Sequence, residues 1–179
     1  MDKTTQELIK SKIRSIPDFP IKGIMFRDIT TLLKDAEGYQ MVIDDLAGRY
    51  EQMDIDIVAG IESRGFIIGG ALAYKLNLPF VPIRKPGKLP GEYISQEYSL
   101  EYGTNTLQIH TDAVKPGQNV LLIDDLLATG GSAKAAIDLI EKLKGIVKAI
   151  AFIIELPDLG GRKVLNNYNI YSTVKYSGE

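Results

Sequence analysis

"VLLIDDLLATGGS", residues 120–132, joins an aliphatic run to two adjacent carboxylates and then to a small, glycine-rich turn. Such a run, bounded by a turn, reads as a buried central strand. "DIVAGI" (56–61), "PFVPIR" (79–84) and "VKAIAFIIE" (147–155) have the same character, and 66–76 and 132–144 carry helical patterns between them. Strand-helix alternation of this kind predicts an α/β fold, a parallel twisted sheet flanked by helices. In open sheets of that type, ligands bind beyond the carboxyl ends of the strands. Asp124 and Asp125 fall at such an end.

The limits set by the whole chain agree with one such domain over residues 1–179. Apolar residues make up 45% and charged residues 25%, with 21 basic against 23 acidic side chains, which gives no electrostatic case for broad nucleic-acid binding. There is no cysteine, and His110 is the one histidine, which excludes a disulfide framework and any multi-Cys or multi-His metal site. An oxygen-ligated Mg²⁺ stays open. No apolar run has the 18 or more residues of a membrane span, so a cytoplasmic protein without membrane contact is expected.

Two stretches break the α/β rhythm. One is "SIPDFPIKGIMFRDIT" (15–30), rich in proline; the other is "RKPGKLPGEYISQEYSLEYG" (84–103), long for a connection in a compact domain. Connections of that length are commonly lids or binding loops. The second also reads as containing a hairpin, with its turn at Gly103 to Asn105.

The turn after Asp125 favours an anion. Small residues let the backbone approach a ligand, Ser132 is expected to cap the following helix, and turn N–H groups with the helix dipole attract phosphate. The carboxylates then suit hydroxyls, as on a ribose whose 5′-phosphate lies in the turn. No Gly-Lys-Ser/Thr follows, so this is not a Walker A loop, and it lacks the G-x-G-x-x-G fingerprint.

The pattern of hydrophobic residues, Asp-Asp, two hydrophobic residues and Ala-Thr-Gly-Gly-Ser resembles the phosphoribosyl diphosphate (PRPP) signature of type I phosphoribosyltransferases. "IPDFPIKGIMFRDIT", "GIESRGF", "RKPGKLPG", "EYSLEYG" and "ELPDLGGR", in that order, look like the adenine phosphoribosyltransferases of that family. The resemblance implies a type I phosphoribosyltransferase-like fold with an N-terminal hood at about 15–35 and a flexible lid loop at about 84–103. It implies the conversion of adenine and PRPP to AMP and pyrophosphate, with Mg²⁺ carried on the diphosphate and no direct protein ligand to the metal. A homodimer is implied too, with partner-facing surface near 60–70 and 84–103.

Site roles follow from the same resemblance. Asp124 and Asp125 match the ribose clamp, and Ala128, Thr129, Gly130, Gly131 and Ser132 the 5′-phosphate loop. Arg64, in a loop where the family carries a non-proline cis peptide, matches the pyrophosphate contact together with Lys85 and Lys88. Glu101 is expected to handle the proton at the base and Tyr102 to approach the reaction centre. Met25, Phe26, Arg27 and Leu156 are expected around adenine, with Phe26 stacking, backbone near Met25 or the Arg27 guanidinium reading the edge, and Ile24 completing the wall.

Other readings stay open on the residues alone. Arg64 also fits a surface arginine after a strand, and Phe26 a core aromatic. A PRPP-sensing regulator would keep the phosphate loop, and a transferase for xanthine or guanine shares the Asp-Asp loop; a mononucleotide-binding domain without transfer chemistry would be favoured by loss of Asp125 or Arg64, and both are present.

Overall fold

The computed structural model describes residues 1–99 and 103–178. The chain opens with helix α1 (Lys3–Ser11), a short antiparallel pair β1 (Arg14–Pro17) and β2 (Met25–Asp28), and helices α2 (Thr30–Leu33) and α3 (Ala36–Tyr50). The α/β part follows: β3 (Ile57–Ile61), α4 (Arg64–Leu76) and β4 (Phe80–Ile83). A ribbon of β5 (Tyr93–Ser99) and β6 (Thr104–His110) comes next, then β7 (Asn119–Leu127), α5 (Gly131–Lys142), β8 (Ile146–Glu155), α6 (Gly161–Val164) and β9 (Ile170–Lys175).

The main sheet has the order β4-β3-β7-β8-β9, and every neighbouring pair is parallel. Parallel strands covered on both faces read as continuous aliphatic runs, which is why the sequence marks β3, β4, β7 and β8 so plainly. Their side chains alternate between two cores. Val58, Leu121 and Ile123 join Val42, Leu46, Ile68 and Leu72 from α3 and α4. Ala59, Val120 and Leu122 join Ile137 and Ile140 of α5 and Leu107 and Ile109 of β6. One face is thus layered with helices, and the other with α5 and the ribbon.

Strand order reverses between β3 and β7, since β3 runs on to β4 at one edge and β7 to β8 and β9 at the other. At such a switch point the loops after the two strands diverge and leave a crevice. Residues 62–63 and 128–130 stand there.

The hairpin expected within 84–103 is present, with β5 paired to β6 from Tyr93↔His110 to Ser99↔Thr104. The turn expected at Gly103 to Asn105 does not include Thr104 and Asn105, which are already paired in β6, while Gly103 takes a positive φ of 91°. Strand β9 and helix α3 were not apparent from periodicity. In β9 the buried positions include Ser172 and Thr173, which break the aliphatic signal.

Among the described residues, no helix is long and apolar enough to cross a membrane.

Candidate active site

A cleft of about 460 Å³ opens at the switch point, between the loops after β3 and β7, under β2 and beside the ribbon. Clefts of 300–1,000 Å³ are usual for small ligands. Its floor is Asp124 and Asp125, its far end Ala128 to Gly130 with Ser132, and its roof Ile24 to Arg27.

The turn is built for an anion, though not through the expected cap. Helix α5 begins at Gly131, its N-cap is Gly130 with φ of 86°, and no side chain caps it. Ser132 therefore sits inside the first turn. The reason is Gly130: its left-handed backbone, open to glycine at no steric cost, turns the chain into the helix two residues earlier. The first N–H groups of α5 are left to a ligand.

Gly161, from the "ELPDLGGR" stretch, fastens this turn. Its N–H donates to the Ala128 carbonyl at 3.0 Å. A Cβ on Gly161 would stand 2.3 Å from that oxygen and 3.0 Å from the Gly130 nitrogen. Neither contact can be relieved by a rotamer. Gly161→Ala is expected to cost about 1–3 kcal/mol by forcing backbone apart, and to raise KM for the phosphorylated substrate roughly 10-fold while KM for the base holds. Melting curves and initial rates read both; an unchanged phosphate-side KM would contradict the support role.

Asp124 and Asp125 are buried at the carboxyl end of β7. Burial, with the Asp125 charge beside it, pushes the Asp124 carboxyl well above the ordinary carboxylate range, and Arg64 pulls the other way. The Asp125 N–H donates to Asp124 Oδ1 at 2.9 Å. Arg64, the first residue of α4, donates from Nε to Asp125 Oδ2. Burial weakens the guanidinium's charge, but Asp125, Asp124 and Asp28 outweigh that and raise its pKa. Arg64 is thus no free surface arginine. Gly65 behind it lets α4 approach β7, since a Cβ there would lie 2.9 Å from the Ile123 carbonyl.

The loop after β3 has a cis Glu62–Ser63 peptide. Glu62 is a residue to which the sequence assigned no role. Its Oε2 accepts from Arg84 Nε and from the Lys85 N–H, each at 3.1 Å. Burial would raise its pKa, but those bonds and the nearby Arg84 and Lys88 charges lower it. Glu62 therefore ties the loop after β3 to the chain at Arg84 and Lys85. Lys85 lines the cleft and Lys88 does not; the Lys88 carbonyl accepts from Arg84 Nη1 at 3.1 Å.

Over the roof, Phe26 is half-buried in the cleft wall and belongs to neither core. Phe19 packs edge-on against it at 5.1 Å between centroids, and Arg64 Cζ lies 5.9 Å from its ring centroid. Leu156 and Ile24 join the wall. Arg27 also lines the cleft, and its guanidinium donates to Ser15 Oγ and stacks 4.0 Å from the Tyr176 ring centroid. Asp28, next along, accepts from Arg14, from the Thr30 N–H at 2.9 Å and from Thr30 Oγ1 at 2.8 Å. Burial opposes its charge, yet these bonds hold its pKa at about 2. They anchor β2 to α2.

Gly131 faces a neighbouring depression with Tyr98 and Lys134 instead of the cleft. Glu101 and Tyr102 lie outside the described residues. Tyr98 and Asn105, a cross-strand pair of the ribbon, line the cleft without having been singled out, as does Leu159. The alternation of β5 was the one signal that could have found Tyr98.

Comparison with known proteins bears on this geometry. Residues 29–175 match the model of the phosphoribosyl transferase domain. Adenine phosphoribosyltransferases of Pelodictyon phaeoclathratiforme and Chlorobium chlorochromatii are each 61% identical over 96% of this chain and 99% of their own. The chain belongs to the adenine phosphoribosyltransferase family. Among solved adenine phosphoribosyltransferases, that of Thermoanaerobacter pseudethanolicus superposes with a TM-score of 0.93 at 54% identity, covering 96% of this chain and 99% of that one. That of Saccharomyces cerevisiae, solved with adenine and an imino-altritol bisphosphate, gives 0.89 at 37% identity, with coverage of 96% and 99%.

Proposed function

We propose that the cleft converts adenine and PRPP to AMP and pyrophosphate in purine salvage. The observation that carries this is the buried Asp124-Asp125 pair set between the open N-terminus of α5 and Arg64, inside a family whose members are named for the adenine reaction. Incubating the protein with PRPP, Mg²⁺ and each of adenine, hypoxanthine, guanine and xanthine tests it. Adenine is consumed; preferential use of another base would overturn the substrate and leave the transfer chemistry.

Each part of PRPP has a counterpart. The 5′-phosphate enters the turn of Ala128 to Ser132, where N–H groups and the helix dipole meet it. Ribose hydroxyls donate to Asp124 and Asp125. The diphosphate takes Arg64, with Lys85 at the cleft wall and Lys88 farther out. Binding thereby exchanges partners: Arg64 leaves Asp125 for the diphosphate, and Asp125 turns to the sugar.

The C1′–O bond then breaks with its electron pair on pyrophosphate, and a ring nitrogen of adenine bonds to C1′. Positive charge builds on the sugar in an oxocarbenium-like transition state. The carboxylate pair beneath the sugar is placed to meet that charge. Mg²⁺ arrives on the diphosphate as part of the substrate. Such ions keep phosphate and water oxygens as most of their ligands, which suits a site whose two carboxylates are given to the sugar.

Adenine lies along Phe26, between Ile24 and Leu156. Strand β2 pairs with β1 alone among the described residues, so backbone groups at Met25 and Arg27 on its other edge can read the purine. The Arg27 guanidinium, held by Ser15 and Tyr176, serves as an anchor of that strand.

The proton released from adenine passes to Glu101, with Tyr102 beside the reaction centre. Glu101→Gln keeps shape but cannot ionise, so kcat falls by about 10²–10⁴ while PRPP binding holds. Collapse of PRPP affinity with unchanged chemistry would make Glu101 a binding residue instead.

The same reading makes the enzyme a cytoplasmic homodimer. Charged substrates and products such as PRPP and AMP do not cross membranes unaided. Helix α4 leaves Ile67 49% and Tyr74 89% exposed, two turns apart on one side. Sedimentation velocity is expected to give a dimer; a monomer at assay concentration would contradict it.

A further inference from the structure

Strand β2 forms the roof of the cleft, but its support comes from residues far away in the sequence. It has a strand neighbour on one side only, among the described residues. At Arg27, the position between Phe26 and the Asp28 anchor, the guanidinium is clasped between Ser15 of β1 and the ring of Tyr176, the residue that follows β9.

Tyr176 is itself fixed on further sides. Its N–H donates to the Glu155 carbonyl at 3.0 Å, immediately before the cleft residue Leu156. Its hydroxyl reaches the Lys10 carbonyl of α1 at 3.4 Å, and Lys10 Nζ lies 5.7 Å from the ring centroid. The ring is half-buried against the core under α1 and α3 and does not line the cleft. One residue thus joins the roof strand and helix α1 through its side chain and the end of β8 through its backbone.

We propose that Tyr176 is a positioning residue for base recognition, holding β2 through the face of Arg27 so that Phe26 and the β2 backbone meet the purine in register. The inference rests on the reading that β2 recognises adenine. Its physical basis is the attraction of a guanidinium to an aromatic face, strongest where water is excluded, and the planar guanidinium also stacks there. A loosened β2 affects the base and leaves the phosphate turn, which hangs from β7 and Gly161, in place. It also weakens discrimination, because mispaired purines are rejected only by backbone groups held in fixed positions.

Steady-state kinetics on three variants test the proposal. Tyr176→Leu removes the ring and is expected to raise KM for adenine roughly 3- to 30-fold, to leave KM for PRPP within about 2-fold, and to lower the preference for adenine over hypoxanthine. Tyr176→Phe keeps the ring and restores KM for adenine to within about 2-fold of the parent. Arg27→Met removes the cation from the other side. Combined with Tyr176→Leu, it adds little beyond the larger single effect if the two side chains act as one unit.

Equal rises in both KM values, or additive effects in the double variant, would overturn the proposal. So would Tyr176→Phe behaving like Tyr176→Leu. Should Tyr176→Leu not fold, Tyr176→Phe and Arg27→Met still decide it: an unchanged KM for adenine in Arg27→Met contradicts the clasp. A parent enzyme that does not use adenine would sink the base assignment itself, whereas an adenine-using parent with unmoved variants sinks only the role of Tyr176.

Discussion

Replacing both Asp124 and Asp125 by alanine is expected to lower kcat/KM by roughly 10²–10⁴, and replacing either alone by about 10- to 100-fold. A hydrogen bond to a charged group contributes about 1.5–3 kcal/mol, and on the proposed reading each carboxylate accepts such bonds from the sugar. The two side chains are neighbours with coupled charges, so their effects need not add. The fold survives, because burying two like charges side by side at the strand end is a cost that alanine removes. Asp125→Ala also releases Arg64 from its present partner. Initial rates with circular dichroism as the folding control read the outcome. Parent-like kinetics in both single variants would end the assignment of the ribose to this pair.

Hypoxanthine is expected to be used about 10⁴-fold less efficiently than adenine. Adenine presents an amino donor and a ring-nitrogen acceptor where hypoxanthine presents a carbonyl acceptor and an N–H donor. Backbone groups cannot exchange donor for acceptor, so the swap leaves both sides unpaired, and a site built to hydrogen-bond one substrate rejects its analogue by that order. AMP formation followed with excess hypoxanthine or guanine measures it. Phe26→Ala is expected to weaken adenine binding by about 1–3 kcal/mol, the range for a base stacked on an aromatic ring, with KM for PRPP little changed. Comparable turnover of a 6-oxopurine would contradict the reading of the roof.

Strands β3, β4, β7 and β8 could be read from sequence because strands buried on both faces must be aliphatic at every position. Strand β9 could not: its buried Ser172 and Thr173 look like loop residues until their neighbours are known. Asp124 and Asp125 were readable because adjacent carboxylates at the end of such a strand have few structural uses. Ser132 shows the limit of local reasoning, since a serine before a helical pattern is a good cap, but the positive φ of Gly130 decides where α5 starts. Glu62 and Tyr176 were missed for a common reason. Each acts through partners supplied by distant segments, Arg84 and Lys85 for one and the roof strand for the other. The contact of the Arg27 guanidinium with the Tyr176 ring likewise joins residues far apart in the chain.

The most direct test of phosphoribosyl transfer to adenine is a stoichiometric one. The purified protein is mixed with adenine, PRPP and Mg²⁺, and AMP and pyrophosphate are quantified together as PRPP disappears. Equimolar formation of AMP and pyrophosphate, abolished in the Asp124→Ala/Asp125→Ala variant, is the predicted result. Pyrophosphate without AMP, or no turnover of adenine by the folded protein, would contradict it.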